Sequence, residues 1–427
     1  MKKNTIAKLY AREILDSRGN PTLETEVTLD CGLKAKASVP AGASIGEHEA
    51  VELRDRDKKR YGGLGVLKAI ENVNKNIAKK VFGLEILKQI EIDRAMLKLD
   101  GTSDKSHLGA NAILSVSLAC ARAGALAENL ELYAYLRKIY QLPSASRQLP
   151  IPMFNIFNGG KHADTNLNLQ EFMIVPFGIK GLAEQVRAGA EIFHALGEVL
   201  HSNYFDTDVG NEGGYAPNLD STMQAFDMIM EAINKAGYHA GNQVGLALDV
   251  GASELYDPQK RLYVFDLDDH YFIADQLISL YRDWAHKYPI FSIEDGLAEN
   301  DWEGWEELTK EFKRFKPLAS KQKMFLVGDD LFTTNSERLR AGIKRDVGNA
   351  VILKPNQIGT LSESLEFAKI AQAAGYSIIT SHRSGETTDD FIADLAVALN
   401  SDFVKFGSLA RGERVVKYNR LMEIENK

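Results

Sequence analysis

The sequence PIFSIEDG, residues 289–296, is an apolar run that ends on two adjacent carboxylates, Glu294 and Asp295. Such a run is typical of a buried β-strand that stops at a polar site. Other apolar runs in the C-terminal two thirds of the chain end in the same way: on Asp249, on Asp329 and Asp330, on Lys354, on His382 and Arg383, and on Lys405. Helix-like segments such as 361–374 and 387–399 lie between them. Strand and helix therefore alternate every ~25 to 45 residues, which predicts parallel strands in an α/β barrel.

The polar strand ends of such a barrel meet at one mouth. Taken singly, a polar residue that closes an apolar run is no more than the solvated end of a strand. Six such ends in succession, with the acids first and the bases later, predict a functional site instead.

The composition excludes several classes of protein. The 427 residues are 44% hydrophobic and 26% charged, with no low-complexity tract, so we expect one large domain or two to three of ordinary size. We expect no membrane span and no secretory signal, and the two cysteines favour a cytoplasmic location. The net charge of −8 argues against generic nucleic-acid binding, so an anionic substrate would have to be attracted by a local site.

The first third of the chain predicts an α+β domain. Residues 23–29 alternate between apolar and polar side chains and are followed by a turn, so residues 34–39 are expected to return as the second strand of a hairpin. Helices follow, and Gly109 to Ala127 is apolar nearly all round, which indicates a buried helix. A stretch rich in proline and serine near residues 141–152 then predicts two domains, a cap of residues 1–140 and a barrel of residues 141–427.

The barrel domain begins less regularly than it continues. Two short apolar runs, 152–157 and 171–176, are close enough to form an antiparallel pair before the parallel alternation begins. Two glycine-rich loops, 40–50 and 209–217, are candidates for mobile segments, and the second displays Glu212. A glutamate in a surface loop is ordinarily solvated, but the flanking glycines favour a positioning role.

The strand-end acids suggest a metal site. Asp249, Glu294 and Asp329 offer only oxygen ligands, which suit Mg²⁺ better than Zn²⁺. The alternative is three unrelated acids at strand ends. Lys354 and Lys405 weaken that alternative, because a lysine near a divalent ion can serve as a base that removes a proton next to a metal-bound carboxylate.

The phosphate-binding candidates lie at one strand end. His382, Arg383 and Ser384 are donors of the kind that hold a phosphate. The alternative for them is a capped turn.

These residues lie in longer motifs that resemble the enolase family. The resemblance begins with AREILDSRGNPT, residues 11–22, and continues through NGGKHA, LQEFMI, NEGGYAP, SIEDG, GDDL, LKPNQIGT and SHRSGET to Lys405, almost the whole chain. It implies an N-terminal α+β cap, an eight-stranded barrel whose first two strands are antiparallel, and Mg²⁺-dependent dehydration of 2-phosphoglycerate. It also implies a homodimer or higher homo-oligomer.

The resemblance also implies roles for single residues. Lys354 would be the base and Glu212 the acid that helps the 3-hydroxyl leave. Asp249, Glu294 and Asp329 would hold the first of two Mg²⁺ ions, and Ser44 would help to hold the second. The remaining residues would bind the substrate: His162, Gln170, Glu171, His382, Arg383, Ser384 and Lys405.

Three residues depart from the family pattern. The loop that usually reads SGAST is here Ala41-Gly42-Ala43-Ser44-Ile45, and the usual DEGG is Asn211-Glu212-Gly213-Gly214. These changes leave open a related enzyme that acts on another phospho- or phosphono-carboxylate. A non-catalytic surface-binding role is a third hypothesis, supported only by the terminal Lys427.

Overall fold

The computed structural model describes residues 4–42, 46–142, 149–315 and 324–427. Its N-terminal part is a three-stranded antiparallel sheet in the order β1-β2-β3, covered by helices. The strands are β1 (Ile6–Leu15), β2 (Pro21–Leu29) and β3 (Lys34–Ser38), and the helices are α1 (Leu67–Glu71), α2 (Ala78–Val81), α3 (Gln89–Asp100), α4 (Ala110–Glu128) and α5 (Leu132–Tyr140), with a π-helical turn at Asn72–Ile77. The predicted hairpin is confirmed as β2 and β3. Strand β1 was not predicted, because its buried residues do not alternate strictly along the chain.

Helix α4 is the centre of this part of the fold. It packs against β2 and β3, and the hydroxyls of Thr25 and Ser115 are 2.7 Å apart across that contact. Its 19 residues are long and apolar enough to cross a membrane by length and composition alone. Since 83% of the apolar window is buried inside the fold, core packing explains the composition, as the prediction of a buried helix at 109–127 implied.

Eight strands close into a barrel in the C-terminal part. The barrel strands are β4 (Ile151–Asn158), β5 (Glu171–Val175), β6 (Gly245–Asp249), β10 (Ile290–Glu294), β11 (Phe325–Gly328), β12 (Ala350–Leu353), β13 (Ser377–Ser381) and β14 (Phe403–Lys405). Strand β5 is antiparallel to both of its neighbours, and the other pairs are parallel, including β14 with β4. The start of β5 therefore lies at the same mouth as the ends of the other seven strands.

Helices and a small sheet surround the barrel. The helices are α6 (Leu182–Ser202), α7 (Thr222–Lys235), α8 (Ala252–Leu255), α9 (Ala274–Lys287), α10 (Trp302–Arg314), α11 (Ser336–Arg345), α12 (Pro355–Ile358), α13 (Leu361–Ala373), α14 (Phe391–Leu399) and α15 (Gly412–Glu425), and the small sheet is β7 (Tyr256–Asp257), β8 (Leu262–Phe265) and β9 (His270–Phe272). The helix predicted at 361–374 is confirmed as α13.

The helix predicted at 387–399 begins only at Phe391. The backbone N–H of Phe391 donates to Asp389, whose carboxylate is also bound by Arg122 of α4. This contact with the N-terminal part holds the preceding residues outside the helix, and the sequence pattern does not reveal it.

Apolar side chains fill the interior of the barrel. Phe291, Phe325 and Phe403 from three different strands lie with their ring centroids 5.2 to 5.3 Å apart. A filled barrel is a core and not a channel, so polar groups can gather only at its mouth. The predicted domain limits of 1–140 and 141–427 stay a prediction: α5 ends at Tyr140, β4 begins at Ile151, and residues 143–148 lie outside the described residues.

Candidate active site

Strand register brings sequence-distant acids together at the barrel mouth. Glu294 at the end of β10 is aligned with Asp249 at the end of β6, and Asp249 is aligned with Glu171 at the start of β5. On the opposite wall Lys405 ends β14 beside Ser381. The strand ends predicted from the sequence therefore do meet at one place.

Lys405 forms ion pairs with three acids of this cluster. Its Nζ lies 2.8 Å from Asp249 Oδ2, 2.8 Å from Glu294 Oε1 and 3.1 Å from Glu171 Oε1, and the residue is only 1% exposed. Burial by itself would lower the pKa of Lys405, but the three carboxylates outweigh it and raise that pKa well above the usual value. Lys405 is therefore a fixed positive charge.

Lys354 forms a second ion pair, with Asp329. The Lys354 ammonium donates to Asp329 Oδ2, while the Gln357 amide donates to Asp329 Oδ1 at 2.9 Å. Burial would lower the pKa of Lys354, but the Asp329 carboxylate raises it, so the lysine is protonated when this pair is intact. Burial also works to raise the pKa of Asp329, and Lys354 nevertheless lowers it.

Asp295 shapes the loop that carries Asp329. Its two carboxylate oxygens accept the backbone N–H groups of Asp329 at 3.0 Å and Asp330 at 2.8 Å. Among the described residues, Asp295, Asp329 and Asp330 form one of two groups whose ligand atoms lie within 4.8 Å of one another. This grouping differs from the predicted metal ligands Asp249, Glu294 and Asp329, which stay a prediction. Burial, with Asp329 nearby, raises the pKa of Asp330 to about 8.

The second such group contains His162, Glu171 and Glu212. His162 Nδ1 lies 3.4 Å from a carboxylate oxygen of each acid, distances at the long limit of hydrogen bonding. Burial would lower the pKa of His162, but Glu212 and Glu171 raise it to about 10, so its imidazole is charged at neutral pH. Burial raises the pKa of Glu171 to about 7, whereas the charged His162 holds that of Glu212 well below its usual value.

Glu212 is held by neutral donors as well. Ser384 Oγ donates to Glu212 Oε1 at 2.8 Å, and Asn155 Nδ2 donates to Oε2 at 2.9 Å. The glycine-rich loop makes this approach possible: Gly213 has a φ of +89°, and a Cβ there would lie 2.6 Å from the carbonyl oxygen of Ala410. Of the two glycine-rich loops, this one is therefore a fixed support for Glu212.

His382 and Arg383 are positioned by Arg414, a completely buried residue of α15. The Arg414 guanidinium donates to His382 Nδ1, to the carbonyl oxygen of Arg383 at 2.6 Å and to that of Ser384 at 2.7 Å. Burial lowers the pKa of His382 well below its usual value, so its imidazole is neutral, and the bond to Nδ1 places its proton on Nε2, 3.7 Å from Glu212. Arg383 itself forms a bidentate pair with Glu49, with distances of 2.8 and 3.2 Å.

A small, partly open cavity is lined by these groups. Its walls carry six carboxylates but only three lysine or arginine side chains, together with two histidines. Glu294 Oε2 and Glu171 Oε2 are buried without a hydrogen-bond partner among the described residues. A buried carboxylate oxygen with no donor is unfavourable, so this surplus of negative charge and of free oxygens fits a bound divalent cation.

Both parts of the chain match the same family. Residues 6–136 match the enolase N-terminal domain, and residues 146–427 match the enolase C-terminal TIM barrel domain. The chain belongs to the enolase family. That family comprises lyases that generally depend on a metal ion and act on a small molecule.

The predicted site residues of this enolase lie together where the structure describes them. Gln170 also lines the cavity, packed so closely on Gly251 that a Cβ at that glycine would lie 1.7 Å from its amide nitrogen. Ser44 and Ile45 lie outside the described residues. Ala41 is completely buried and exchanges backbone hydrogen bonds with Gly385.

Sequence reasoning about this enolase missed several supporting residues. Arg414 and Asn155 lie within a helix and a strand and carry no local signal of their function. Gln357 lies in a quoted motif but was given no role. Asp295 and Asp330 each follow another acid in the sequence, and the preceding acids, Glu294 and Asp329, were predicted as the metal ligands instead.

Proposed function

We propose that this enolase catalyses the reversible, Mg²⁺-dependent dehydration of 2-phosphoglycerate to phosphoenolpyruvate. The observation that carries the proposal is the pair of lysines, Lys354 and Lys405, placed among carboxylates at the mouth that also holds Glu212 and Arg383. Such a site combines a base, an acid, a carboxylate partner and a phosphate partner.

The metal ligands proposed are Asp249, Glu294 and Asp329, with Ser44 assigned to a second ion. The free oxygen of Glu294 and the excess of carboxylates in the cavity support this assignment. Two Mg²⁺ ions would supply the positive charge that stabilises the dianion formed when a carboxylate substrate loses its α-proton.

Lys354 is the proposed base and removes the proton from C2 of the substrate. It can accept that proton only as a neutral amine, and its pairing with Asp329 opposes this state. The proton affinity of Lys354 therefore depends on whether the charge of Asp329 is directed at its ammonium or engaged elsewhere.

Glu212 is the proposed acid for the departing 3-hydroxyl. The low pKa of Glu212 and the raised pKa of His162 mean that Glu212 is ionised and that the exchangeable proton of the pair is bound to the imidazole. Glu212 lies 3.4 Å from that imidazole and can pass the proton to the leaving oxygen, which departs as water.

The substrate is held at both ends in this proposal. Lys405 would pair with the substrate carboxylate, Glu171 would line the site, and Arg383 with Ser384 would bind the phosphate, since a guanidinium offers a planar pair of donors. Gln170, His162 and His382 complete the walls. We also propose a cytoplasmic location and a homo-oligomeric assembly.

The test is the formation of phosphoenolpyruvate from 2-phosphoglycerate with Mg²⁺ and again with excess EDTA. We expect turnover with Mg²⁺ and its loss in EDTA, because the surplus carboxylates would repel a trianionic substrate. Full turnover in EDTA would contradict the metal assignment. An absence of turnover by a folded, Mg²⁺-binding protein would contradict the choice of substrate.

A further inference from the structure

Two buried polar side chains, Thr334 and Gln357, lie directly behind the Asp329–Lys354 pair. Thr334 is completely buried and Gln357 is 1% exposed. Neither lines the cavity, so neither can touch a substrate there. A buried polar side chain is retained at low cost only when its hydrogen bonds are satisfied, so their partners indicate what they do.

The two side chains form a connected network with both members of the pair. Gln357 Nε2 donates to Asp329 Oδ1 at 2.9 Å, and Gln357 Oε1 accepts from the Thr334 hydroxyl at 2.7 Å. The same hydroxyl accepts the backbone N–H of Lys354 at 2.9 Å. The hydroxyl proton therefore fixes which end of the amide is the acceptor, and the amide in turn fixes the rotation of the Asp329 carboxylate.

The backbone around Thr334 is held in an unusual conformation. Thr333 and Thr334 have φ values of +46° and +52°, a region that β-branched residues rarely occupy. Such backbone persists only where the surrounding structure holds it in place, and it concentrates at functional sites. Here it brings the Thr334 hydroxyl between the backbone of Lys354 and the amide of Gln357.

We propose that Thr334 and Gln357 are positioning residues for the Asp329–Lys354 pair. Gln357 occupies Oδ1 of Asp329 and leaves Oδ2 facing Lys354 and the cavity, while Thr334 holds both the amide and the lysine backbone. The inference rests on the proposed roles of Asp329 as a metal ligand and Lys354 as the base. Side chains that orient metal ligands typically change metal affinity or activity 10- to 100-fold when altered.

The experiment compares Gln357→Met and Thr334→Val, which keep approximate size and remove the hydrogen bonds. Thr334→Ser is the conservative variant, since it keeps the hydroxyl. Thr309→Val is the matched control: Thr309 is also buried and bonded at its hydroxyl, to Trp305 and Gly348, but lies outside the site.

Two measurements separate positioning from mere stability. The first is the Mg²⁺ concentration at half of the Mg²⁺-induced rise in melting temperature, which requires no turnover. We expect it to increase about 10-fold or more in Gln357→Met and Thr334→Val. The second is kcat on 2-phosphoglycerate, which should fall more than KM changes. Thr334→Ser should restore both to within about threefold of the parent, and Thr309→Val should lower only the melting temperature.

Parent-like Mg²⁺ midpoints and kcat in both variants would overturn the proposal, as would equal losses in Thr309→Val. If Thr334→Val does not fold, Gln357→Met and Gln357→Asn decide the question, because the shorter amide cannot span the same two partners. If the parent does not turn over 2-phosphoglycerate, the proposed function fails, and the Mg²⁺ midpoint still tests the positioning of Asp329.

Discussion

Replacing Lys405 by methionine tests the charge balance of the site directly. The substitution keeps much of the side chain's length and removes the only ammonium that contacts Asp249, Glu294 and Glu171 among the described residues. Each of these acids is buried to 5% exposure or less, so no solvent replaces the lost partner. Removing one member of a buried ion pair costs about 3 to 5 kcal/mol. At about 2 °C per kcal/mol for a large domain, we expect the melting temperature in EDTA to fall by roughly 6 to 10 °C.

Magnesium should recover part of this loss. Two of the three acids, Asp249 and Glu294, are proposed Mg²⁺ ligands, and in the variant they have no competing ammonium. A ligand at 100 times its dissociation constant adds about 2.7 kcal/mol to stability. The matched control is Lys417→Met, because Lys417 is equally buried but pairs with a single carboxylate outside the cavity, that of Glu386. Its loss of stability should be smaller and should not respond to Mg²⁺.

The variant should also respond to pH. Burial raises the folded-state pKa of Glu171 to about 7, and Lys405 works against that rise. An acid with a raised folded-state pKa binds its proton more tightly when folded, so stability increases as pH falls from about 7 toward the unfolded value of 4.5. Without Lys405 this pKa rises further, and the deficit of the variant should shrink between pH 8 and pH 5. Thermal unfolding that is parent-like in EDTA, or a deficit independent of both Mg²⁺ and pH, would refute the reasoning.

Three further predictions concern the reaction itself. Lys354→Ala should stop exchange of the C2 proton of 2-phosphoglycerate with deuterated solvent, whereas Glu212→Gln should retain some exchange and form no product. Exchange at the parental rate in Lys354→Ala would show that the base is another residue. Asp329→Asn should lower activity on the order of 100-fold, because a ligand charge is lost, and an unchanged Mg²⁺ requirement would contradict its role. The double variant Ala41→Ser with Asn211→Asp should raise kcat/KM on 2-phosphoglycerate by up to about tenfold, because it restores hydrogen bonds, and should leave the Mg²⁺ midpoint unchanged. A fall in kcat/KM, together with turnover of another phospho-acid, would favour a related substrate.

The sequence was sufficient for the fold class and for the location of the site. Apolar runs that alternate with helical segments require parallel strands, and parallel strands must end at the same mouth, so their polar ends had to converge. The early antiparallel pair was also predictable, since the gap between residues 157 and 171 is short. The local sequence pattern did not predict β1, whose exposure does not alternate. It also misplaced the start of α14, because a contact with Arg122 holds the residues before Phe391 outside the helix.

The partners within the site were decided by tertiary structure alone. Lys405 contacts acids more than 100 residues away, and Arg414 holds His382 from α15, 32 residues further along the chain. Strand β5 shows the limit most clearly: Glu171 begins a strand, and only reversal of that strand places it in register with Asp249 at the mouth. A residue's neighbours in sequence determine its strand or helix. Its electrostatic partners depend on barrel closure and strand register, which bring distant segments within the few ångströms over which hydrogen bonds and ion pairs act.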